Sequence, residues 1–360
     1  MEASVSRKLS SLVVSAVLSA GAAIAEAPTV AVDIAPVHSL VARVMEGVGA
    51  PSLIIPTGAS PHEYSLRPSE ARDLQDADVV FWMGEEFTPW MANAIETLAV
   101  DAAVSELLEA DGTILLGFRE SALFEAHAHE SAHDEHGHDE HGHDTHGHED
   151  HSDHGDHDAH WHDDHADHDE HAHDDHDGHD DHDGHSGHAD GAHDPHAWLS
   201  PENASIWLNL IAAQLSAADP ENAGAYFANA AAARTEMTAL SQEVAGILEK
   251  VRGGKFIVFH DAYQYFEAAF DFSASGAITL SDATDPSPKR IAQIQARIRD
   301  EEIACVLSEP QFNPGLVAAV VDGADVTTAV LDPIGIDLTP GAKLYPQMIR
   351  NLATTLAECL

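Results

Sequence analysis

The sequence predicts an α/β protein with two Rossmann-like lobes, each built on a parallel sheet, joined by a long backbone helix. Three observations indicate this fold: short strand-like runs alternate with helical patterns, several of these runs are continuously apolar, and one helical pattern spans 220–251. Strands of a parallel sheet are covered by helices on both faces, and they are therefore apolar throughout. We expect an N-terminal lobe over 26–219, a linker helix over 220–251 and a C-terminal lobe over 252–360.

The first 25 residues predict a cleaved signal peptide. A basic pair precedes the small, apolar run 9–23, and Ala23-Ile24-Ala25 fits a cleavage site. The run is too short, and too rich in Ala and Ser, to favour an uncleaved anchor. No cysteine lies near the site, so we expect an exported protein that begins near Glu26 and carries no lipid.

Eight strands are predicted, four in each lobe. Those of the first lobe are 29–33, 52–56, 78–83 and 113–118, and those of the second are 255–260, 272–279, 303–308 and 325–331. Proline after the capping position marks helix starts at Arg67-Pro68, Ser200-Pro201 and Ser287-Pro288.

The linker pattern keeps Phe227, Met237 and Val244 at helical spacing. Its apolar repeat is too sparse for a coiled coil, so it favours a rigid strut between the lobes.

Charge and histidine are concentrated in one insertion. The chain has 28 His, 16 Lys plus Arg and 62 Asp plus Glu, with a formal net charge of −46. Between 127 and 194 there are 24 His, 24 acidic residues and no Lys or Arg. Such a charge excludes nucleic acid and anionic membranes as partners. The insertion lacks large aliphatic residues, so we expect it to be disordered without metal.

The histidine tract, residues 127–194, is expected to collect or sense metal. Neutral imidazoles at this density bind Zn²⁺, Ni²⁺ or Cu²⁺ in many interchangeable sets, each weak because binding must order the chain. A solvated acidic linker is the alternative. The collecting residues include His136, His138, His141, His143, His146 and His148.

Cys305 and Cys359 are the two cysteines of the chain. An exported chain with two cysteines usually joins them, so we predict a disulfide that attaches the C-terminal helix to the body. Metal ligation by this pair is the less favoured interpretation, because zinc thiolate sites usually contain cysteines in close pairs.

A selective metal site is predicted from four isolated positions. His62, His260 and Asp332 follow the ends of predicted strands, and His196 lies just before a capped helix. Ligands bind at the carboxyl ends of parallel strands, so two facing lobes would bring these residues together in the cleft between them. Three imidazoles and one carboxylate suit tetrahedral Zn²⁺. His38 also follows a strand, and a structural role is favoured over a secondary metal site.

Five motifs carry a family resemblance. They are GASPHEYSLRPS around His62, HAWLSP from His196, FHDAYQYF around His260, SEPQF from Ser308 and LDPIG around Asp332. With them the chain, apart from the tract, resembles the metal-binding solute-binding proteins of ABC importers, the cluster A-I group, and within it the zinc members (ZnuA-type). The resemblance implies metal capture in the periplasm and delivery to a membrane permease driven by an ATPase, with a periplasmic zinc donor as a further candidate partner. We expect a monomer.

The metal and its fourth ligand follow from comparison within that group. Manganese members carry a carboxylate where His260 stands, and imidazole favours zinc. Some zinc members use a Glu beside the first histidine, but here Pro61 precedes His62 and Glu63 follows it. Asp332 or water is therefore preferred to Glu63 as the fourth ligand.

Three other functions compete with zinc import. They are manganese or iron import, a periplasmic zinc buffer and an exported zinc hydrolase. A hydrolase needs an open coordination position and a general base, and the His-Glu-x-x-His motif is absent from the sequence. We therefore expect that the protein is not an enzyme.

Overall fold

Two four-stranded parallel sheets organise the protein. A computed structural model describes residues 27–62, 64–119, 121, 124, 193–280 and 286–360. The sheet orders are β2-β1-β3-β4 and β6-β5-β7-β8, and every described strand pair is parallel. We call the elements around the first sheet the N-terminal lobe and those around the second the C-terminal lobe. The predicted α/β class with two parallel sheets is confirmed.

The N-terminal lobe alternates strands and helices. Its elements are β1 Val30–Val32, α1 Ala35–Val44, β2 Ser52–Leu53, α2 Pro68–Gln75, β3 Val79–Trp82, α3 Pro89–Leu98 and β4 Ala103–Glu106. A 3-10 turn at Ala197–Leu199 then leads into α4, Pro201–Ala218.

The C-terminal lobe repeats the strand order of the first. Its elements are β5 Phe256–His260, α6 Gln264–Phe270, β6 Gly276–Thr279, α7 Pro288–Asp300, β7 Cys305–Ser308, α8 Pro314–Val321, β8 Thr327–Val330 and α9 Leu344–Cys359. Helix α5, Ala223–Leu248, and a 3-10 turn at Glu249–Val251 precede it.

The predicted helix starts are confirmed, and each has a polar cap. The hydroxyl of Ser200 accepts from the Asn203 N–H at 3.3 Å, and that of Ser287 accepts from the Arg290 N–H at 3.2 Å. At α2, the carboxylate of Glu70 accepts from the backbone N–H of residue 67 at 2.7 Å. These caps satisfy donors that the first turn of a helix cannot pair.

The fourth strand was predicted wrongly. It is β4 and not 113–118. In that segment Asn203 exchanges two hydrogen bonds with the Ile114 backbone, at 2.8 and 3.0 Å, and the Leu116 N–H donates to the Tyr265 hydroxyl. The Leu116 carbonyl accepts from the Asp194 N–H at 2.8 Å. Strand β4 is an edge strand with exposed side chains such as Val104, so its sequence lacks a continuous apolar run.

Helix α5 packs along α4, α9 and α1. Its buried positions recur at steps of three and four, and they are Tyr226, Ala230, Ala233, Met237, Leu240, Val244 and Leu248. Phe227, predicted on this face, is 51% exposed, because the adjacent Tyr226 occupies the buried position and donates to Asp219 at 2.9 Å. Apolar burial along α5 therefore connects elements of both lobes in one core.

The predicted disulfide between Cys305 and Cys359 is confirmed, with a Cα–Cα distance of 5.6 Å. It joins β7 to the end of α9. Within the described residues, the helices are too short or too polar to cross a membrane. The predicted signal peptide lies outside the described residues, and so does the histidine tract apart from residues 193 and 194.

Candidate metal centre

Three of the four predicted ligands meet in one pocket. Its lining residues come from both lobes and are Pro61, His62, Phe87, His196, Trp198, His260, Gln311, Pro333 and Ile334. The ring centroids of His62 and His196 are 6.1 Å apart, and those of His196 and His260 are 5.3 Å apart. The structure thus brings these three histidines into one pocket.

His62 lies on the loop after β2 and is half-buried. The edge of its ring contacts Phe87, with centroids 4.8 Å apart. The carbonyl of the preceding Pro61 accepts from the Trp90 indole at 2.8 Å. Helix α3 thus holds the loop that presents this imidazole.

His196 is oriented by a neighbouring carboxylate. Asp194 Oδ1 lies 2.7 Å from His196 Nδ1 and also accepts from the His196 backbone N–H at 3.0 Å. Asp194 is itself fixed, because its Oδ2 accepts from Gln264 and its carbonyl accepts from the Tyr265 hydroxyl. A carboxylate on Nδ1 selects the tautomer whose Nε2 can ligate a metal.

His260 has the same arrangement from a different part of the chain. It is the last residue of β5, and Glu309 follows the adjacent strand β7. Glu309 Oε1 lies 2.6 Å from His260 Nδ1, and both side chains are buried. Burial in the hydrogen-bonded pair fixes the ring plane and leaves Nε2 as the nitrogen that could ligate a metal.

A buried ion-pair cluster supports this side of the pocket. Arg119 donates to Asp261 at 2.9 Å and to Glu267 at 2.8 Å. Burial raises the pKa of Asp261 to about 7, although Arg119 opposes the rise. The pKa of Glu267 is also raised by burial and lowered by Arg119. The guanidinium thus compensates two buried carboxylates, and one of them, Asp261, is the residue after His260.

The spacing of the three imidazole rings determines whether they can bind one zinc ion together. Three imidazoles at 2.0–2.1 Å from one zinc would place their centroids about 5 Å apart. The His196–His260 pair meets this spacing, and the His62–His196 pair is about 1 Å wider. Accordingly, no three His, Cys, Asp or Glu side chains among the described residues stand close enough to hold a metal ion. Binding of one zinc ion by all three imidazoles would require His62 to lie closer to His196 than 6.1 Å between ring centroids.

The remaining candidates lie elsewhere. The Asp332 carboxylate accepts three backbone N–H groups of its own loop, at 2.6 to 3.1 Å, and Asp332 is not among the lining residues. His38 is buried in α1, where its Nε2 lies 3.1 Å from the Pro51 carbonyl and burial lowers its pKa. This supports the structural role expected for His38. Glu63 lies outside the described residues.

Sequence reasoning missed the partners of the ligands. Asp194 precedes His196 by only two residues, a spacing that could have drawn attention to it. Glu309 and Gln311 stand in a motif that carried the resemblance, but no role was assigned to them. Arg119 had no sequence signal, because its importance arises only where the lobes meet.

The donor set suits a small cation that prefers nitrogen. The described lining offers three imidazoles and one amide, but no carboxylate, and imidazole favours zinc over manganese. The pocket has a cavity volume of about 10 Å³. Pockets for small organic ligands usually have roughly 300–1,000 Å³, so an organic substrate fits poorly.

Comparison with known proteins gives one consistent family. Residues 30–359 match the family model described as "ZnuA: Zinc-uptake complex component A periplasmic". Among curated proteins, the chain is 47% identical over 331 residues to the high-affinity zinc uptake system protein ZnuA of Brucella abortus, covering 92% of this chain and 91% of the relative. It is 44% identical over 354 residues to the same-named protein of Paracoccus denitrificans, covering 98% of each.

Solved structures share the fold. A crystal structure of ZnuA superposes with a TM-score of 0.66 at 19% identity, covering 92% of this chain and 99% of that one. The solute-binding protein FpvC of Pseudomonas aeruginosa, in complex with Mn²⁺, superposes with a TM-score of 0.65 at 18% identity, covering 92% and 98%. The chain therefore shares its fold with these solved proteins.

Proposed function

The chain belongs to the family of periplasmic zinc-uptake complex components, and we propose that it captures Zn²⁺ in the periplasm for an ABC importer. In this proposal the protein delivers the ion to a membrane permease that an ATPase drives. It acts as a binding component and catalyses no reaction.

The observation that carries the proposal is the convergence of three histidines from two lobes. His62, His196 and His260 line one pocket, and two of them have a carboxylate on Nδ1. We propose that all three bind zinc as neutral imidazoles. Asp332 stays a prediction as the fourth ligand, with water as its alternative.

The histidine tract is proposed to supply this pocket. Residue 193, the last histidine of the tract, lies three positions before His196. It forms an antiparallel bridge with Gly117, which fixes this end of the tract a short distance along the chain from His196. Zinc collected by the tract would then reach the pocket by exchange of ligands.

The proposal also includes the processing and organisation expected from the sequence. Residues 1–25 would be removed on export, and the mature protein would carry no lipid. The lobes would span 26–219 and 252–360, with 220–251 between them. The protein would act as a monomer, with a periplasmic zinc donor as a possible further partner.

Zinc titration calorimetry tests the proposal with matched variants. Deletion of 127–192 should keep one tight site and lose several weak ones. His260→Ala and His196→Ala should lose the tight site, since each removes a nitrogen donor. His193→Ala, a histidine outside the pocket lining, is the control and should keep it.

Loss of the tight site on deletion of the tract would contradict the proposal that the tract collects zinc and the pocket alone binds it tightly. Competition between Zn²⁺ and Mn²⁺ on the same samples tests the choice of metal, and a preference for Mn²⁺ would overturn it.

A further inference from the structure

We infer that Gln311 is a positioning residue whose amide oxygen accepts a hydrogen bond from a water in the fourth coordination position of zinc. The inference rests on the proposed function and concerns what completes the three-histidine site. It chooses water over Asp332 as the fourth ligand.

Gln311 stands where such an acceptor is needed. It lines the pocket together with His62, His196 and His260. It lies two residues after Glu309, which fixes the His260 ring, so both ends of this short segment face the same site. Its Oε1 is buried and has no hydrogen-bond partner among the described residues.

An unpaired buried acceptor requires a physical explanation. Leaving a buried amide oxygen without a donor is unfavourable, and native proteins retain few such groups. An amide oxygen can only accept a hydrogen bond, so its partner must bring a proton. A bound species that donates a hydrogen bond would satisfy this acceptor.

A zinc-bound water is the donor that fits. Zinc held by three protein ligands commonly binds water in the fourth position. The charge of the ion polarises that water and makes it a stronger hydrogen-bond donor. A hydrogen bond from this water to Gln311 Oε1 would stabilise the zinc-bound state, which raises the affinity for zinc.

Asp332 is less well placed for this position. Both of its oxygens accept backbone N–H groups, from residues 334, 335 and 336, and it is absent from the lining. Direct ligation would have to compete with these hydrogen bonds. Gln311 Oε1 has no described contact to give up.

The experiment compares Gln311→Leu, Gln311→Glu and the control Gln295→Leu, with His260→Ala as a reference. Gln295 lies on α7 of the same lobe and donates to the Ala319 carbonyl, away from the pocket. For each protein we would measure zinc affinity by chelator competition, the visible absorption of the Co²⁺ form, and the melting temperature with and without zinc.

Gln311→Leu should weaken zinc binding about tenfold, shift the Co²⁺ bands and reduce the rise in melting temperature on zinc addition. Its metal-free melting temperature should not fall, because Leu removes an unpaired polar atom. Gln311→Glu keeps an acceptor and should restore affinity to at least the wild-type level, whereas Gln295→Leu should match wild type throughout.

Wild-type affinity and spectrum in Gln311→Leu would overturn the inference. A lower metal-free melting temperature with an unchanged Co²⁺ spectrum would also overturn it, because that pattern indicates a structural role. If His260→Ala also keeps tight zinc binding, the proposed function fails as well. If Gln311→Leu behaves as wild type and only His260→Ala loses tight zinc binding, the inference about Gln311 fails but the proposed function stands.

Discussion

Glu309 Oε1 lies 2.6 Å from Nδ1 of His260, and neither side chain is accessible to solvent. The pair joins the ends of β5 and β7, so the sheet itself sets the direction of this imidazole. The position of His260 is thus determined by strand pairing, and its orientation by a carboxylate that follows the neighbouring strand.

Replacing this carboxylate should weaken metal binding without removing the ligand. Glu309→Leu should lower zinc affinity by about 10- to 100-fold, the usual effect of losing the partner of a ligating histidine. Chelator competition measures it, and Glu301→Leu, at the end of α7, is the control. Unchanged affinity in Glu309→Leu would show that Glu309 does not orient the ligand.

The Arg119 cluster should dominate the stability of the contact between the segment 113–119 and the C-terminal lobe. Arg119→Met leaves Asp261 and Glu267 buried without a cation, and breaking such a pair typically costs about 3–5 kcal/mol. Guanidinium unfolding of the metal-free protein checks this.

Arg350→Met is the matched control, since Arg350 pairs with Glu243 at the surface and exposed pairs contribute about 0–1 kcal/mol. Equal losses in the two variants would contradict the account of the buried cluster.

Asp33 should make stability depend on pH. Burial raises the pKa of this carboxyl from 3.8 to about 7, even though its oxygens accept from Met83 and Ile34. The folded protein therefore keeps a proton that the unfolded chain releases. The stability that this proton contributes is full below pH 3.8, and it is lost as pH rises towards 7.

Asp33→Asn should remove the fall in unfolding free energy with pH that Asp33 causes. This slope is up to about 1.4 kcal/mol per pH unit between roughly pH 4 and 7. Denaturant unfolding of metal-free protein across that range measures it. The exposed Asp111, replaced by Asn, is the control. A slope that stays the same in Asp33→Asn would exclude Asp33 as its source.

The disulfide should stabilise the fold but leave the metal site unaffected. The sequence separation of Cys305 and Cys359 is 54, and the chain-entropy model gives about 4 kcal/mol for such a loop. Replacing both by Ser should lower unfolding free energy by up to this amount. Neither cysteine lines the pocket, so zinc affinity should not change. A matching loss of zinc affinity would show that the bond shapes the pocket.

The sequence predicts well the features of the fold that depend on strand order and strand burial. Central strands such as β3 and β5 are buried throughout, so they can be recognised in the sequence as apolar runs. His260 could be placed because it ends such a strand, and a ligand cleft forms at those ends. The edge strand β4 could not be recognised, because it is partly exposed and its sequence mixes polar and apolar side chains.

What the sequence could not predict depends on contacts between distant segments. The apolar run 113–118 resembles a strand, but Asn203 and Tyr265 pair with its backbone instead. Likewise, only the folded structure brings Glu309 to His260 and Arg119 to Glu267. In α5, Tyr226 rather than Phe227 is buried, because a shift of one residue rotates a side chain by about 100° around the helix.

The most direct test is the structure of the zinc-loaded protein with anomalous data collected at the zinc absorption edge. The account predicts a strong peak in the pocket at about 2.0–2.1 Å from Nε2 of His62, His196 and His260, with the His62 loop drawn inward. A peak held by other residues, or a zinc-loaded pocket in which any of these three imidazoles stays outside bonding distance, would contradict it.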